Sequence, residues 1–249
     1  MLMPAKQIVR GAQVRARQLL GRGVLPNIIV PGAQKGGTTS LRFYLVQHPN
    51  VAPSLRQEVH YFDLFYNRGI GWYKAQFLNG PQSLCAVDTT PYYLFHPAVP
   101  ARVAKTLGNV KFIVALRNPV DRAFSHYWNS VRFGQEELSF ERALSQEQSR
   151  LEGAEEALLN GADLIRSHRD QSYLSRGLYA KQLARWFEYF DRSNFLIFES
   201  EVLFSRTNET MAKVFQFAGL PSLAKLNTEP RNRNEHNKMD PAVGRRLKA

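Results

Sequence analysis

Short apolar runs alternate with longer amphipathic segments along most of this chain. Apolar runs bounded by turn residues predict buried strands at residues 27–31, 84–87, 111–116 and 195–199. Between these runs, apolar residues recur at helical spacing, which predicts helices near residues 38–47, 97–107, 119–132, 140–159, 172–190 and 207–218. Strands that alternate with helices indicate an α/β fold, in which a single doubly wound domain is built around a central parallel sheet.

Positive charge is concentrated at the ends of the chain. The formal net charge is +12, and the basic residues of positions 1–23, which include no acidic residue, are Lys6, Arg10, Arg15, Arg17 and Arg22. We therefore expect a basic N-terminal arm over residues 1–23, folded as a solvated amphipathic helix, and a main domain over residues 24–249. No helix-turn-helix, zinc-finger or RNA-binding signature accompanies the charge, so anionic small molecules or acidic glycans are expected as partners rather than nucleic acid.

Composition excludes several classes of protein. The chain has 249 residues, 44% of them hydrophobic and 12% aromatic, which is enough for a large core and excludes a disordered chain. Cys85, the single cysteine, allows no intramolecular disulfide and lies in an apolar run, where a buried inert thiol is expected. No apolar stretch approaches the ~20 residues of a transmembrane helix, and no secretion signal is visible, so we expect a cytoplasmic protein.

The residues from Ile28 to Ser40 read IIVPGAQKGGTTS, which predicts a strand, a glycine-rich turn and a helix start. Such a turn can hold phosphate groups on its backbone N–H groups. A Walker A loop would place its lysine at position 38, where this chain has Thr38; the lysine is Lys35, inside the turn. A cation there suits a phosphate-type group leaving from the 5′ side of a nucleotide. The alternative is a glycine-rich turn that merely precedes a helix.

A second polar segment follows the strand predicted at 111–116 and reads RNPVDRAFS, from Arg117 to Ser125. An arginine can bind a phosphate through two parallel hydrogen bonds, and a serine two turns into the following helix can add a further donor. Arg122 fits either a phosphate contact or a structural ion pair equally well.

A third segment, RQEVHYFD from Arg56 to Asp63, places polar groups among aromatic ones. Its alternation predicts an extended strand with Glu58, His60 and Phe62 on one face. Polar side chains clustered in this way indicate a site, and a salt-bridged surface strand is the alternative.

These segments resemble those of sulfotransferases that use 3′-phosphoadenosine-5′-phosphosulfate (PAPS), and in particular the heparan-sulfate-type branch in its bacterial-like form. The resemblance spans about residues 26–248 and implies a prokaryotic protein with a P-loop-like 5′-phosphosulfate loop. It further implies that PAPS, whose product is adenosine 3′,5′-bisphosphate, contacts two groups of residues. The loop group is Lys35, Gly36, Gly37, Thr38, Thr39 and Ser40, and the other group is Arg117, Ser125, Arg176, Arg231 and Arg233.

The same resemblance implies catalytic roles. Glu58 matches the family's catalytic base, Lys35 would stabilise the departing bridging oxygen, and His60 would belong to the catalytic group. Acceptor-binding residues would be Glu58, His60, Asp63, Asp88 and Thr89. Thr89 stands where heparan sulfate enzymes have a glycan-contacting lysine, which argues against assuming a heparan sulfate acceptor.

The predicted function is therefore PAPS-dependent transfer of a sulfuryl group to a hydroxyl of a carbohydrate or natural product. No metal is required, because no cluster of His and Cys with metal-ligand spacing is present in the sequence. One alternative is a P-loop nucleotide kinase or NTPase, which Thr38 and the Arg117–Ser125 segment disfavour. The other alternative is a non-catalytic protein that binds anionic glycans, which an acid at Glu58 disfavours.

Overall fold

Parallel strands form the central sheet of the computed structural model, which describes residues 5–78, 80, 82–229 and 231. The strands are β1 Ile28–Gly32, β2 Val51–Ala52, β3 Cys85–Thr89, β4 Lys111–Leu116 and β5 Phe195–Glu199. They are ordered β2-β3-β1-β4-β5, and every neighbouring pair is parallel. This arrangement confirms the predicted α/β fold with a doubly wound parallel sheet. The predicted strands are all present within two residues, whereas β2 was missed because its two residues are too short to give a pattern.

The order of the strands creates a switch point between β1 and β4. The chain leaves β1 towards β3 on one side of the sheet and returns through β4 on the other side. The loops that follow β1 and β4 therefore diverge and leave a crevice between them, where ligands bind in open parallel sheets. Both predicted phosphate-binding segments begin at this crevice.

The β1–β4 pairing is irregular where β1 approaches the crevice. The register changes between Ile29 and Gly32, around Pro31, which has no N–H group for the ladder. Beyond the irregularity the Ala33 N–H group donates to the Ala115 carbonyl at 2.9 Å. The loop after β1 is thus tied directly to the end of β4.

Helices cover both faces of the sheet. In chain order they are α1 Ala5–Leu19, α2 Thr38–Leu45, α3 Gly69–Lys74, α4 Val99–Thr106, α5 Pro119–Arg132, α6 Phe140–Leu151, α7 Ala154–Leu159, α8 Arg166–Asp170, α9 Tyr179–Phe187, α10 Ser200–Ser205 and α11 Thr207–Ala218. The predicted helices at 119–132 and 207–218 agree with α5 and α11. Short helices α3, α8 and α10 escaped the sequence analysis because five or six residues show too little of a helical period.

Two predicted helices are broken in the structure. The helix expected over 140–159 is interrupted at Gly153, which adopts φ 67°, so α6 and α7 are separate. The helix expected over 172–190 contains a 3₁₀ turn, Ser175–Gly177, before α9 begins. Gly177 lies against α5, where a Cβ atom would come within 2.9 Å of Pro119 Cβ, so packing rather than local sequence sets this break.

The prediction of a strand at Glu58–Asp63 was wrong. This segment is a loop, and His60 turns the backbone with φ 56°. Phe62 points into the core and is fully buried, while Glu58 and His60 face the crevice. The alternation of polar and aromatic residues therefore reflects a turn rather than one face of a strand.

Apolar side chains of the described residues pack into one core on each face of the sheet and into a third, smaller cluster between α5 and α6. One core joins Ile29, Phe112 and Trp186, and the other joins Ile28, Val30 and Ile113 to α2 and α11. Successive residues of β1 alternate between the cores because successive strand side chains point to opposite faces.

Candidate active site

A cleft of about 1360 Å³ opens at the carboxyl ends of the strands, over the switch point between β1 and β4. Residues from all three segments singled out in the sequence line it. They are Lys35, Gly37, Thr38, Thr39, Glu58, His60, Arg117 and Ser125, together with Arg231 near the end of the described chain.

The loop after β1 is held close to the end of β4. A Cβ atom on Gly36 would lie 2.4 Å from the Ala115 carbonyl oxygen, so only glycine allows this approach. Gly37 precedes α2 with φ 85° and offers no side chain to cap the helix. The first N–H groups of α2 are consequently available to an anion in the cleft. On the cleft wall, Gln57 Nε2 donates to Thr39 Oγ1 at 3.1 Å.

Lys35 occupies a partly buried position in this loop. Its Nζ atom donates to Asn129 Oδ1 at 3.2 Å, which links the loop to α5. Burial, and then the charges of Arg132 and Arg117, lower the pKa of Lys35 to about 8, while the Glu58 carboxylate acts in the opposite direction. The cleft is therefore positively charged around Lys35, an environment that favours a bound anion.

Arg117 and Ser125 are placed by the junction of β4 and α5. Arg117 follows β4, and its Nη1 atom donates to the Lys35 carbonyl at 3.3 Å. Tyr179 OH donates to the Arg117 carbonyl at 2.8 Å, which secures the backbone at this turn. Asn118 caps α5 by accepting from Val120 N at 3.0 Å. Ser125 lies two turns further along α5 and faces the same cleft.

Glu58, His60 and Asp63 form a hydrogen-bonded chain on the opposite wall. His60 Nε2 lies 3.1 Å from Glu58 Oε2, and His60 Nδ1 lies 2.7 Å from Asp63 Oδ2. Burial by itself would lower the pKa of His60, but the Asp63 and Glu58 carboxylates outweigh it and raise that pKa to about 10. At neutral pH His60 is thus an imidazolium that donates to both acids. The Glu58 side chain is 40% exposed, so it remains open to the cleft.

Asp88 supports the backbone of the loop that carries Glu58 and His60. Its Oδ1 atom accepts from Thr90 Oγ1 at 2.6 Å, and its Oδ2 atom accepts from Tyr93 OH at 3.0 Å and from Tyr73 OH at 2.8 Å. Each of these hydroxyls donates its hydrogen bond to the Asp88 carboxylate. The lone pairs of the hydroxyl oxygens therefore remain free to accept from the loop. Burial raises the pKa of Asp88 to about 6, against the three hydrogen bonds that lower it.

Consecutive backbone amides of the loop donate to these hydroxyl oxygens. Val59 N and His60 N approach Thr90 Oγ1 at 3.1 and 3.4 Å. Tyr61 N and Phe62 N approach Tyr93 OH at 2.8 and 3.2 Å. The loop carrying Glu58 and His60 is therefore fixed without belonging to the sheet.

The structure does not bring some predicted contact residues to the cleft. Asp63, Asp88 and Thr89, expected at the acceptor, are buried at 2%, 0% and 2% exposure. Asp63 and Asp88 serve His60 and the loop instead. Ser40, expected at the donor, is also buried and exchanges hydrogen bonds with the Arg231 main chain, Arg231 N to Ser40 Oγ at 2.8 Å.

Arg176 and Arg122 are likewise buried beneath the cleft. Arg176 donates to Gln34 Oε1, to the Arg169 carbonyl and to Ser172 Oγ, and its guanidinium lies 4.8 Å from the Tyr92 ring centroid. Arg122 donates to the Tyr173 carbonyl. Both arginines hold neighbouring protein groups in place and do not line the cleft. Arg233 lies outside the described residues.

The cleft also contains side chains that the sequence analysis did not identify. Asn129 and Arg132 follow Ser125 by four and seven residues on α5, so helical spacing was a usable signal for them. Arg169 and Asp170 of α8, and Ser200, Glu201 and Phe204 of α10, come from elements whose position only the tertiary structure supplies.

Among the described residues, no group of three or more His, Cys, Asp or Glu side chains is arranged to hold a metal ion. Within the same part of the chain, no helix has the length and apolar character needed to cross a membrane.

The fold and the cleft place this molecule among open α/β domains whose ligand crevice lies at the switch point of a parallel sheet. A family model described as the sulfotransferase domain matches residues 25–239. The chain therefore belongs to the sulfotransferase family.

Relatives in sequence support the same assignment. Heparan sulfate glucosamine 3-O-sulfotransferase 6 of Mus musculus and its Homo sapiens counterpart are each 32% identical over 200 residues, which is 80% of this chain and 54% of theirs. Membrane-associated sulfotransferase kil1 of Dictyostelium discoideum is 36% identical over 132 residues, 49% of this chain and 28% of that protein. This chain thus spans about half the length of the heparan sulfate enzymes, and less of kil1.

A solved structure, that of a sulfotransferase from Alicyclobacillus acidocaldarius, superposes with a TM-score of 0.74 at 26% identity, covering 90% of both chains. The sulfotransferase domain of the Synechococcus PCC 7002 olefin synthase shares the fold, with a TM-score of 0.52 at 14% identity.

Proposed function

We propose that this protein transfers a sulfuryl group from PAPS to a hydroxyl of a carbohydrate or natural product, with Glu58 as general base. The observation that carries the proposal is the meeting of Lys35 and Glu58, from separate segments, in one cleft. A cation for the leaving group and a base for the attacking group are the two charges that such a displacement needs.

The part of the cleft between α2 and α5 suits a donor nucleotide that carries phosphate groups at its 5′ and 3′ positions. Gly36 and Gly37 let the backbone approach closely, and the uncapped first turn of α2 can hold the 5′-phosphate. Arg117 and Ser125 lie where β4 passes into α5 and would hold the 3′-phosphate. Transfer of the sulfuryl group from PAPS then depends on two things: the acceptor oxygen must lie in line with the bond that breaks, and the charge that develops on the departing bridging oxygen must be neutralised.

On the acceptor side, the hydroxyl oxygen bonds to sulfur while the bond from sulfur to the bridging oxygen breaks. Glu58 takes the hydroxyl proton, and Lys35 neutralises the oxygen that departs with adenosine 3′,5′-bisphosphate. His60, held by Asp63, donates to Glu58 Oε2 and so orients the carboxylate. The residues below the cleft, Asp88 among them, position this group rather than contact the acceptor.

A second cavity beside the cleft supports an extended polar acceptor. It has a volume of about 350 Å³, shares Gln135, Arg169 and Asp170 with the cleft, and is also lined by Arg166 and Gln171. Amide and guanidinium groups suit hydroxyl and acidic groups, and the names of the heparan sulfate relatives agree with a carbohydrate.

The roles of Glu58 and Arg117 are tested by separating transfer from donor binding. We expect Glu58→Gln to lower kcat by about 10²–10⁴-fold, since it removes the base. Its affinity for adenosine 3′,5′-bisphosphate should stay nearly unchanged. Arg117→Ala should instead weaken that affinity by roughly 10–100-fold through loss of charged hydrogen bonds. Transfer is measured with radiolabelled PAPS on a panel of glycans, lipids and phenols, and affinity by calorimetry.

Glu201→Gln is the matched control, because it also removes a carboxylate that lines the cleft. We expect it to keep kcat within a few-fold. The reverse pattern, with Glu58→Gln losing affinity and Arg117→Ala losing only kcat, would contradict the roles. Stronger thermal stabilisation by ATP with Mg²⁺ than by adenosine 3′,5′-bisphosphate would instead indicate a kinase or NTPase.

A further inference from the structure

Helix α1 presents an apolar stripe to solvent. Val9, Ala12, Ala16, Leu19 and Leu20 recur at helical spacing along one side of the helix, and all are exposed. The exposed fractions of Val9, Leu19 and Leu20 are 67%, 81% and 65%. We call these five residues the α1 stripe. Two adjacent exposed leucines at the end of a helix are costly in water and are typical of a surface that meets a partner.

The opposite side of α1 is already anchored to the domain. Val14 is buried in the core, and Arg17 donates through Nε to the Ala75 carbonyl at 3.0 Å and through Nη2 to the Phe77 carbonyl at 2.7 Å. Gln18 packs beside Gly71 of α3. The helix is therefore not the solvated arm expected from the sequence. Its stripe is held outward and cannot fold back onto this core.

The surroundings of the stripe are strongly basic. Residues 1–87 contain ten lysines and arginines, and their only acids are Glu58 and Asp63, both paired with His60. None of the ion pairs between described residues involves a basic residue of α1 or α3.

Positive charges also crowd one another beside α1. Burial lowers the pKa of Arg56, and the charges of Arg10 and Arg68 lower it further. The guanidinium groups of Arg56 and Arg68 both lie over the Trp72 ring, at 5.6 and 5.5 Å from its centroid. Around α1 and α3, the described part of the chain thus presents positive charge without an ion pair to an acidic side chain.

We infer that the α1 stripe docks on an anionic lipid surface. Exposed leucines flanked by arginines match a helix that lies in the membrane interface, where the apolar side enters the acyl boundary and the cations meet lipid phosphates. A polyanion such as nucleic acid or a glycan would use the arginines but leave the leucines in water. A second copy through the same face would oppose two basic helices, since neither α1 nor α3 contains an acidic residue. The inference does not depend on the chemistry in the cleft.

The test is flotation of the full chain with vesicles. We expect binding to vesicles of phosphatidylglycerol and phosphatidylcholine, and little binding to phosphatidylcholine alone. Leu19→Ser with Leu20→Ser should weaken binding at least about tenfold, because the apolar contact is lost. Arg10→Glu with Arg15→Glu should weaken it similarly, and high salt should do the same. Leu159→Ser, at a leucine 61% exposed on α7, is the matched control and should bind like the parent.

Several outcomes would overturn the inference. Vesicle binding that is absent, or that survives the double leucine substitution, would show that the stripe does not enter lipid. Equal binding to vesicles with and without phosphatidylglycerol would show that anionic charge is not needed for binding. A parent dimer that becomes a monomer in the leucine variant, measured by sedimentation, would make a second copy the occupant. If the double variant fails to melt cooperatively, Val9→Ser replaces it, with the same expected direction.

Discussion

Lys35 and His60 adopt backbone conformations that side chains usually avoid. Among the described residues they are the only non-glycine residues with positive φ, at 69° and 56°. Such conformations cost about 1–3 kcal/mol each and persist where the surrounding structure requires them. Both residues line the cleft, Lys35 within the glycine-rich turn after β1 and His60 beside Glu58. Strain is therefore concentrated where our proposal locates the chemistry.

The lowered pKa of Lys35 predicts a pH dependence of donor binding. Because this pKa is about 8, Lys35 loses its charge as pH rises through that value. Affinity for adenosine 3′,5′-bisphosphate should then fall by up to about tenfold per pH unit, since binding must restore the proton. Calorimetry over a pH series measures this fall.

Lys35→Arg should remove the fall, because a guanidinium stays charged throughout the range. Lys213→Arg, on the exposed side of α11, is the control and should leave the pH profile of the parent. A profile shared by all three proteins would assign the titration to another group.

At the scale of elements, the position of the loop that carries Glu58 and His60 depends on the end of β3. Asp88 lies one residue before the end of the fully buried strand β3, and the hydroxyls of Thr90 and Tyr93, which donate to it, accept from the loop amides. Buried amides without partners would cost about 1–3 kcal/mol each. The position of Glu58 thus depends on β3, because the hydroxyls of Thr90 and Tyr93 link Asp88 to the amides of the loop.

Two tyrosines provide a matched test of this support. Tyr93 OH donates to Asp88 and accepts from the loop amides, whereas Tyr73 OH only donates to Asp88. We expect Tyr93→Phe to lower kcat about tenfold or more, with donor affinity unchanged, because Tyr61 N and Phe62 N lose their acceptor. Tyr73→Phe should lower kcat much less. Equal losses of kcat in the two variants, measured in steady-state assays, would show that the hydrogen bonds from Tyr93 to the loop amides do not position Glu58. Asp88 and its tyrosines would then contribute only to the stability of the fold.

For the molecule as a whole, stability resides largely in the two cores that flank the sheet. Trp186 is fully buried in one of them and contacts the rings of Phe112, Phe190 and Phe195. Trp186 packs on one face of the sheet, and α2 packs on the opposite face. The core around Trp186 is therefore separate from the helix that begins at the cleft.

Trp186→Ala should lower the free energy of unfolding by about 3–5 kcal/mol, since it leaves a large cavity. Phe187→Ala, at the next residue of α9, removes a ring that is 39% exposed and should cost about half of that or less. Urea unfolding measures both values. The affinity of folded Trp186→Ala for adenosine 3′,5′-bisphosphate should match the parent, and a large loss would mean that this core shapes the cleft.

Local sequence predicted those parts of the fold and site that depend on neighbours along the chain. Strand β4 and helix α5 followed from an apolar run and from helical spacing, and the same spacing places Ser125 and Asn129 on one side of α5. The loop around Lys35 was recognisable from its run of glycines, whereas the close approach of the Ala115 carbonyl that requires Gly36 is a tertiary contact. By contrast, the strand expected at Glu58 was wrong, because Thr90 and Tyr93 hold that segment as a turn.

The sequence by itself determined the parallel α/β fold, the glycine-rich turn after β1 and the residues Lys35, Glu58, Arg117 and Ser125 that line one cleft. Tertiary structure alone decided that Asp63, Asp88 and Arg176 support the cleft from within the core. It also decided that α8 and α10 complete the walls, and that α1 is anchored with its apolar stripe outward. The physical reason is range: periodicity and turn chemistry act over a few residues, whereas burial and hydrogen-bond partners depend on segments far apart in the chain.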